Sequence, residues 1–195
     1  SVDYVGANTG SITIAPYQNS ATLSLPVVDD SLIEEDETIS INISALNTLY
    51  TGAIILNPLI PTAIIRDNDE AALRISGPIS VSEGNTGTTA LTFTVSLDKN
   101  TGRSFSINYA TADGSATVAG NDYIPRNGTL NFAGNASESY PITILVNGDR
   151  NIEQTEDLFV NLLGLTDTFN NRLSVIGSPA RGIILDDDNI AANKN

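Results

Sequence analysis

The chain has 195 residues, with 9 Lys plus Arg against 23 Asp plus Glu, a formal net charge of −14, and no Cys, His, Met or Trp. These counts exclude a Cys/His dyad, a Ser-His-Asp triad, any disulfide, and a zinc site of the usual nitrogen and sulfur ligands. So acidic a surface disfavours nucleic acid and anionic lipid as partners and favours cations.

The apolar fraction of 41% is enough for a packed core. No apolar run is long enough to span a bilayer. Ser1 is not a natural start, so a processed product or a piece of a longer protein is expected.

Taken in chain order, the apolar residues recur with a period of two. Leu23, Leu25 and Val27 alternate with polar neighbours, then Ile39, Ile41 and Ile43. A longer run covers Leu73 to Ser82. Leu91, Phe93, Val95 and Leu97 follow, then Phe105, Ile107 and Tyr109, and then Tyr140, Ile142, Ile144 and Val146. Such alternation predicts half-buried strands of antiparallel sheets. Turn signals separate them: Asn85-Thr86-Gly87, Asp98 to Gly102, Asp113-Gly114, Asn127-Gly128 and Asn147-Gly148. Many short strands at about 8–12-residue spacing, with no helical period, predict an all-β protein built as a β-sandwich.

An internal repeat divides the chain. Asp3-Tyr4 matches Asp122-Tyr123, Asp30 to Glu37 matches Asp149 to Glu156, and Ile64 to Asp69 matches Ile183 to Asp188, all at an offset of 119 residues. Strand-like runs at 73–82, 90–97 and 104–110 precede Asp122 and have no counterpart before Asp3. The chain is therefore expected to hold a partial module at 1–70 (strands four to seven only), a complete module at 71–189, and a polar tail at 190–195.

The acidic residues fall at strand ends. In the second copy they are Glu83, Asp122, Asp149, Glu153, Glu156, Asp186, Asp187 and Asp188. Alternating strand direction puts all eight at one pole of a sandwich. Carboxylates crowded in this way repel one another unless a cation neutralises them. Calcium, with about 6–8 oxygen ligands in flexible geometry, suits such a set better than magnesium, which keeps its waters. Eight carboxylates exceed the needs of one ion, so two or more are expected. The first copy keeps Asp3, Asp30, Glu34, Glu37, Asp67 and Asp69, but has Asn68 in the middle of its last triplet and no counterpart of Glu83. Its site is expected to be weaker or incomplete. Any one of these acids alone reads as a solvated loop charge. The recurrence of the set at one offset is what points to metal.

These residues resemble the Calx-β module. The resemblance rests on Ser82-Glu83-Gly84, Gly120-Asn121-Asp122-Tyr123, Gly128 to Phe132, Asp149 to Glu156 leading to Phe159, Asp186 to Asp188, and the Thr111 to Ala116 segment. It implies a seven-stranded immunoglobulin-like sandwich with Ca²⁺ at one pole. Modules of this kind occur in sodium/calcium exchangers, integrin tails and large bacterial surface or secreted proteins.

The resulting expectation is a non-enzymatic calcium-binding structural or adhesive module of a larger secreted or cell-surface protein. Calcium would rigidify the polar loops, and at Asp67 and Asp69 the junction as well. Its partners would be calcium ions and other modules of the parent chain. One alternative is a cytosolic calcium-sensing module. Another is a half module that self-associates by taking up strands from another chain, giving a homo-oligomer. A glycosidase using two carboxylates is disfavoured, because aromatics make up only 6% of the chain and Trp is absent.

Overall fold

The computed structural model describes residues 3–6, 9–47 and 60–188. The expected tail at 190–195 lies outside them. The chain forms two compact units, one of Ser1–Ser31 with Glu35–Asn68 and the other of Leu32–Glu34 with Asp69–Asn195.

The described part of the first unit is sparse. Strands β1 (Glu37–Ser40) and β2 (Thr62–Ile65) form a two-stranded antiparallel sheet. The expected strand at Leu23 to Val27 is present only as a bridge between Tyr4 and Val27. Ile12, Ile14, Leu23, Val27, Ile43 and Ile64 are exposed. The alternation is there in sequence, but no second sheet covers it among the described residues.

The second unit is a complete immunoglobulin-like β-sandwich. One sheet runs β4 (Ile79–Ser82), β12 (Ala180–Leu185), β10 (Glu156–Leu163), β6 (Phe105–Asp113) and β8 (Asn127–Phe132). The other runs β11 (Leu173–Ile176), β3 (Ala71–Ile75), β5 (Gly87–Leu97), β9 (Ser139–Gly148) and β7 (Tyr123–Ile124). All pairings are antiparallel except β11 with β3 and β12 with β4.

The unit has more than the seven strands expected, for three reasons. The run from Leu73 to Ser82 breaks at Ser76-Gly77-Pro78, and its halves join different sheets as β3 and β4. Pro78 has no N–H for a ladder, so a continuous strand cannot pass through it. The other two additions are the short strands β7 and β11.

The core follows from the period of two. Leu91, Phe93, Val95 and Leu97 of β5 are all buried, with Ile142, Ile144 and Val146 of β9 beside them. Ile107, Phe132, Leu158 and Val160 come from the other sheet into the same cluster. Each such side chain contributes about 1.5–3 kcal/mol on burial. The fit is tight enough to require glycine at 182, where a Cβ would fall 2.6 Å from Leu91 Cδ2 and 3.1 Å from Phe93 Cζ.

The repeat seen in sequence recurs in the pairing. Glu37 pairs with Ile65 as Glu156 pairs with Ile184, and Tyr4 with Val27 as Tyr123 with Val146. Val28 N donates to Asp3 O at 2.9 Å, and Asn147 N donates to Asp122 O at 2.9 Å. The two copies thus share register as well as motif.

Candidate metal centre

Strand direction decides where the acids of the second copy go. Glu83 follows the end of β4, Asp149 the end of β9 and Asp186 to Asp188 the end of β12, while Asp122 precedes β7 and Glu156 opens β10. β4 and β12 run parallel, so their ends share a pole, and β10, antiparallel to β12, begins there. In the other sheet β9 ends where β7, antiparallel to it, begins.

Six of the eight carboxylates form two groups. Glu83, Asp186 and Asp188 bring one oxygen each within 4.8 Å of one another, as do Asp122, Glu153 and Glu156. The other two stand beside these groups. Asp187 Oδ1 accepts from Gly84 N at 3.0 Å, which ties the end of β12 to the loop after β4. Asp149 Oδ1 accepts from Asn151 N at 2.6 Å and holds its own loop.

Glu83 is the most constrained member. Its residue is only 4% exposed, and its Oε1 is buried with no hydrogen-bond donor; Asp188 Oδ2 is in the same condition. Thr89 Oγ1 donates to Glu83 O at 2.7 Å and fixes the turn. Asp186 is oriented by two backbone donors, Asp188 N at 2.9 Å and Glu153 N at 3.3 Å. Glu153 N therefore links the two groups. On the other side, Thr117 N donates to Asp122 Oδ2 at 2.7 Å.

The electrostatics follow from this crowding. Burial pushes the Glu83 carboxyl up to about 7, and repulsion from Glu153, Asp149, Asp186 and Asp188 adds to it. Burial also raises Glu153 and Glu156, each helped by Asp122. Asp188 is raised by burial and by its neighbours Asp186 and Asp187. An arrangement that raises several carboxylates together favours a divalent cation in place of protons.

Two acids at this pole that the sequence did not distinguish are satisfied within the protein. Asp113 Oδ1 accepts from the Tyr123 hydroxyl at 2.6 Å and from Val118 N at 3.1 Å. Asp157 accepts from Ser115 N at 3.0 Å and from Arg181 Nε at 2.8 Å. Tyr123 is buried. Its phenol also braces the turn after β6, which its position after Asp122 could not reveal.

The first-copy acids Asp3, Asp30, Glu34, Glu37, Asp67 and Asp69 are all described, and none belongs to either group. Asp69 Oδ1 instead has the Lys99 ammonium at 3.6 Å.

A sandwich of two curled sheets with carboxylates gathered at one pole defines the class. The Calx-beta domain model matches residues 1–69 and 76–188, and the chain belongs to that family. Among solved structures, the apo-form Calx CBD1 domain aligns with a TM-score of 0.52 at 24% identity, over 62% of this chain and all of that one. At that identity the likeness speaks for the fold alone. CBD12 from CALX1.2 aligns at 25% identity with a TM-score of 0.49, over 59% of this chain and 46% of its own. The structure described as calcium binding domain CBD12 of CALX1.1 aligns at 23% identity and 0.48, over 61% and 46%. The chain thus spans about half the length of those CBD12 structures. No curated protein sequence matches it significantly.

Proposed function

We propose that the second unit binds calcium at its acidic pole, as a structural module of a larger secreted or cell-surface protein. The observation that carries this reading is the buried Glu83 Oε1, which has no donor and lies in one group with Asp186 and Asp188. A buried carboxylate oxygen without a donor is costly, and a hard cation meets that need. Glu83, Asp186 and Asp188 would hold one ion, and Asp122, Glu153 and Glu156 a second. Asp149 and Asp187, whose charges act on the first group, would contribute further oxygens to a calcium shell of about 6–8. The first group joins the loop after β4 to the segment after β12, and the second joins the loop before β7 to the β9–β10 loop, so two ions together would tie four segments. The role proposed is binding rather than catalysis: the composition leaves out His- and Cys-based chemistry, and 6% aromatics with no Trp disfavour a two-carboxylate glycosidase.

The calcium reading rests on the second copy. Asp69 already has Lys99 as a counter-ion, and Asn68 stands in the first copy's triplet. A role for calcium at Asp67 and Asp69 is the weaker extension of the proposal.

Thermal melts with Ca²⁺, with Mg²⁺ and with chelator test the reading. A ligand at a hundredfold excess over Kd stabilises by about 2.7 kcal/mol. A rise in Tm with Ca²⁺ that Mg²⁺ does not reproduce is expected. Equal melts with calcium and chelator would remove the proposal.

A second reading concerns the first unit. The exposure of Ile12, Ile14, Leu23 and Ile64 favours completion of its sheets by strands from another chain. Sedimentation across a hundredfold range of concentration tests it, and a mass that stays monomeric throughout would refute it.

A further inference from the structure

Residues Leu32–Glu34 precede the second module in sequence, yet they are part of the second unit. Ile33 is 0% exposed and belongs to that unit's hydrophobic core. It is held like a short strand at the loop after β5, in a parallel bridge with Thr101. Ile33 N donates to Asn100 O at 3.4 Å, and Gly102 N donates to Ile33 O at 2.9 Å. Arg172 Nη1 donates to Glu34 O at 2.9 Å. Gly102 is required there, because a Cβ would fall 2.9 Å from Ile33 O. β5 runs away from the acidic pole, so this seat lies at the opposite pole of the sandwich.

The repeat register assigns a counterpart to Ile33. Asp30-Ser-Leu-Ile33-Glu34 corresponds to Asp149-Arg-Asn-Ile152-Glu153. Ile152 sits on the acidic pole between two candidate ligands, and it is 55% exposed. One side chain of the pair is wholly buried in a module that follows it in sequence, while the other is more than half exposed.

We infer that Ile152 is a hook for a further module of the same kind, which would seat it between an Asn100–Gly102-type loop and an Arg172-type guanidinium. The occupant of this surface is thus a second copy of the module at 71–189, placed after it in a head-to-tail series. The seat uses backbone groups and one arginine, so it does not depend on the calcium reading.

The native chain has no cysteine, which makes thiol labelling clean. Residues 70–188 are fused directly after Asp188, which preserves the spacing between Ile33 and Ala71. Ile33→Cys and Ile152→Cys are then labelled in the native chain and in the extended chain. In the native chain, I33C is expected to be protected and I152C to react freely. In the extended chain, I152C should slow by about tenfold or more, as for a group exposed only by local opening. Arg172→Ala in the added copy should restore part of the reactivity.

An I152C that labels equally fast in both chains overturns the proposal. Ala116→Cys in the added copy, a fully buried position, reports whether that copy has folded. If it labels freely, the added copy has not been completed by Ile152, and the proposal fails equally. Running both chains with calcium and with chelator separates this outcome from failure of the metal site.

Discussion

Glu83 Oε1 and Asp188 Oδ2 are both buried at the acidic pole, and neither has a hydrogen-bond donor. Such a pair is unfavourable in a protein that has only protons to offer it. Glu83→Gln keeps the shape and removes the charge. With chelator at neutral pH, the variant is expected to be at least as stable as the native chain, because a buried and repelled carboxylate is gone. With calcium the order reverses. If the substitution weakens binding a hundredfold, a stabilisation of about 2.7 kcal/mol falls to about 0.4 kcal/mol. Urea melts with and without calcium read both effects. A Glu83→Gln chain that keeps the native calcium shift would show that Glu83 is no ligand.

The two carboxylate groups are joined through Glu153. Its side chain belongs to the group with Asp122 and Glu156, and its N–H donates to Asp186 in the other. Asp149, Asp186 and Asp188 also help to raise its carboxyl, after burial. Glu156→Gln should therefore remove one class of calcium site, and Glu153→Gln should weaken both. Calorimetric titration distinguishes the cases by stoichiometry. Identical isotherms for the two variants would mean that the groups act as one site.

Ile33 and Ile152 have the same place in the repeat and opposite surroundings. Ile33→Ala is expected to destabilise the second unit by about 2–4 kcal/mol, the cost of a large-to-small change in a core. Ile152→Ala should lie within about 0.5 kcal/mol of the native chain, as exposed substitutions do. Denaturant midpoints of the two variants check this. Equal effects would mean that the burial of Ile33 contributes nothing to the unit.

Much of the sandwich was legible because the core is built on a strict period of two. Leu91 to Leu97 and Tyr140 to Val146 read as strands from their alternation alone, and they lie side by side as β5 and β9. The acidic pole was legible for a related reason, since strand parity fixes which ends share a side. Other features needed three dimensions. Leu73 to Ser82 reads as one strand because the alternation continues in phase across Gly77-Pro78, although the dipeptide itself signals a break. Asp113 and Asp157 resemble the ligand acids in sequence, and only the Tyr123 hydroxyl and Arg181 mark them as satisfied. The seating of Ile33 depends on a contact 68 residues away at Thr101, which no local pattern encodes.

Glu138 gives a pH dependence free of the metal question, because its loop precedes β9 at the pole opposite the acids. Its Oε1 accepts from Ala133 N at 2.9 Å and from the Tyr140 hydroxyl at 2.7 Å. Its Oε2 accepts from Gly134 N at 3.0 Å and Asn135 N at 3.2 Å. Burial alone would raise this carboxyl. The donors at Ala133, Tyr140, Asn135 and Gly134 outweigh it and hold the group below its ordinary 4.5. The unfolded chain therefore takes up this proton at a higher pH than the folded one. The contribution to stability is fully present above the ordinary value and is lost as pH falls through the folded value. Glu138→Gln should cost about 1–2 kcal/mol at neutral pH, since hydrogen bonds to a charged acceptor are replaced by weaker ones or lost. The difference from the native chain should shrink as pH falls through the folded value, below which both carry a neutral side chain. Urea midpoints of the two proteins at a series of pH values, all in chelator, measure it. A gap that stays constant down to acid pH would mean that the charge on Glu138 contributes nothing to its loop.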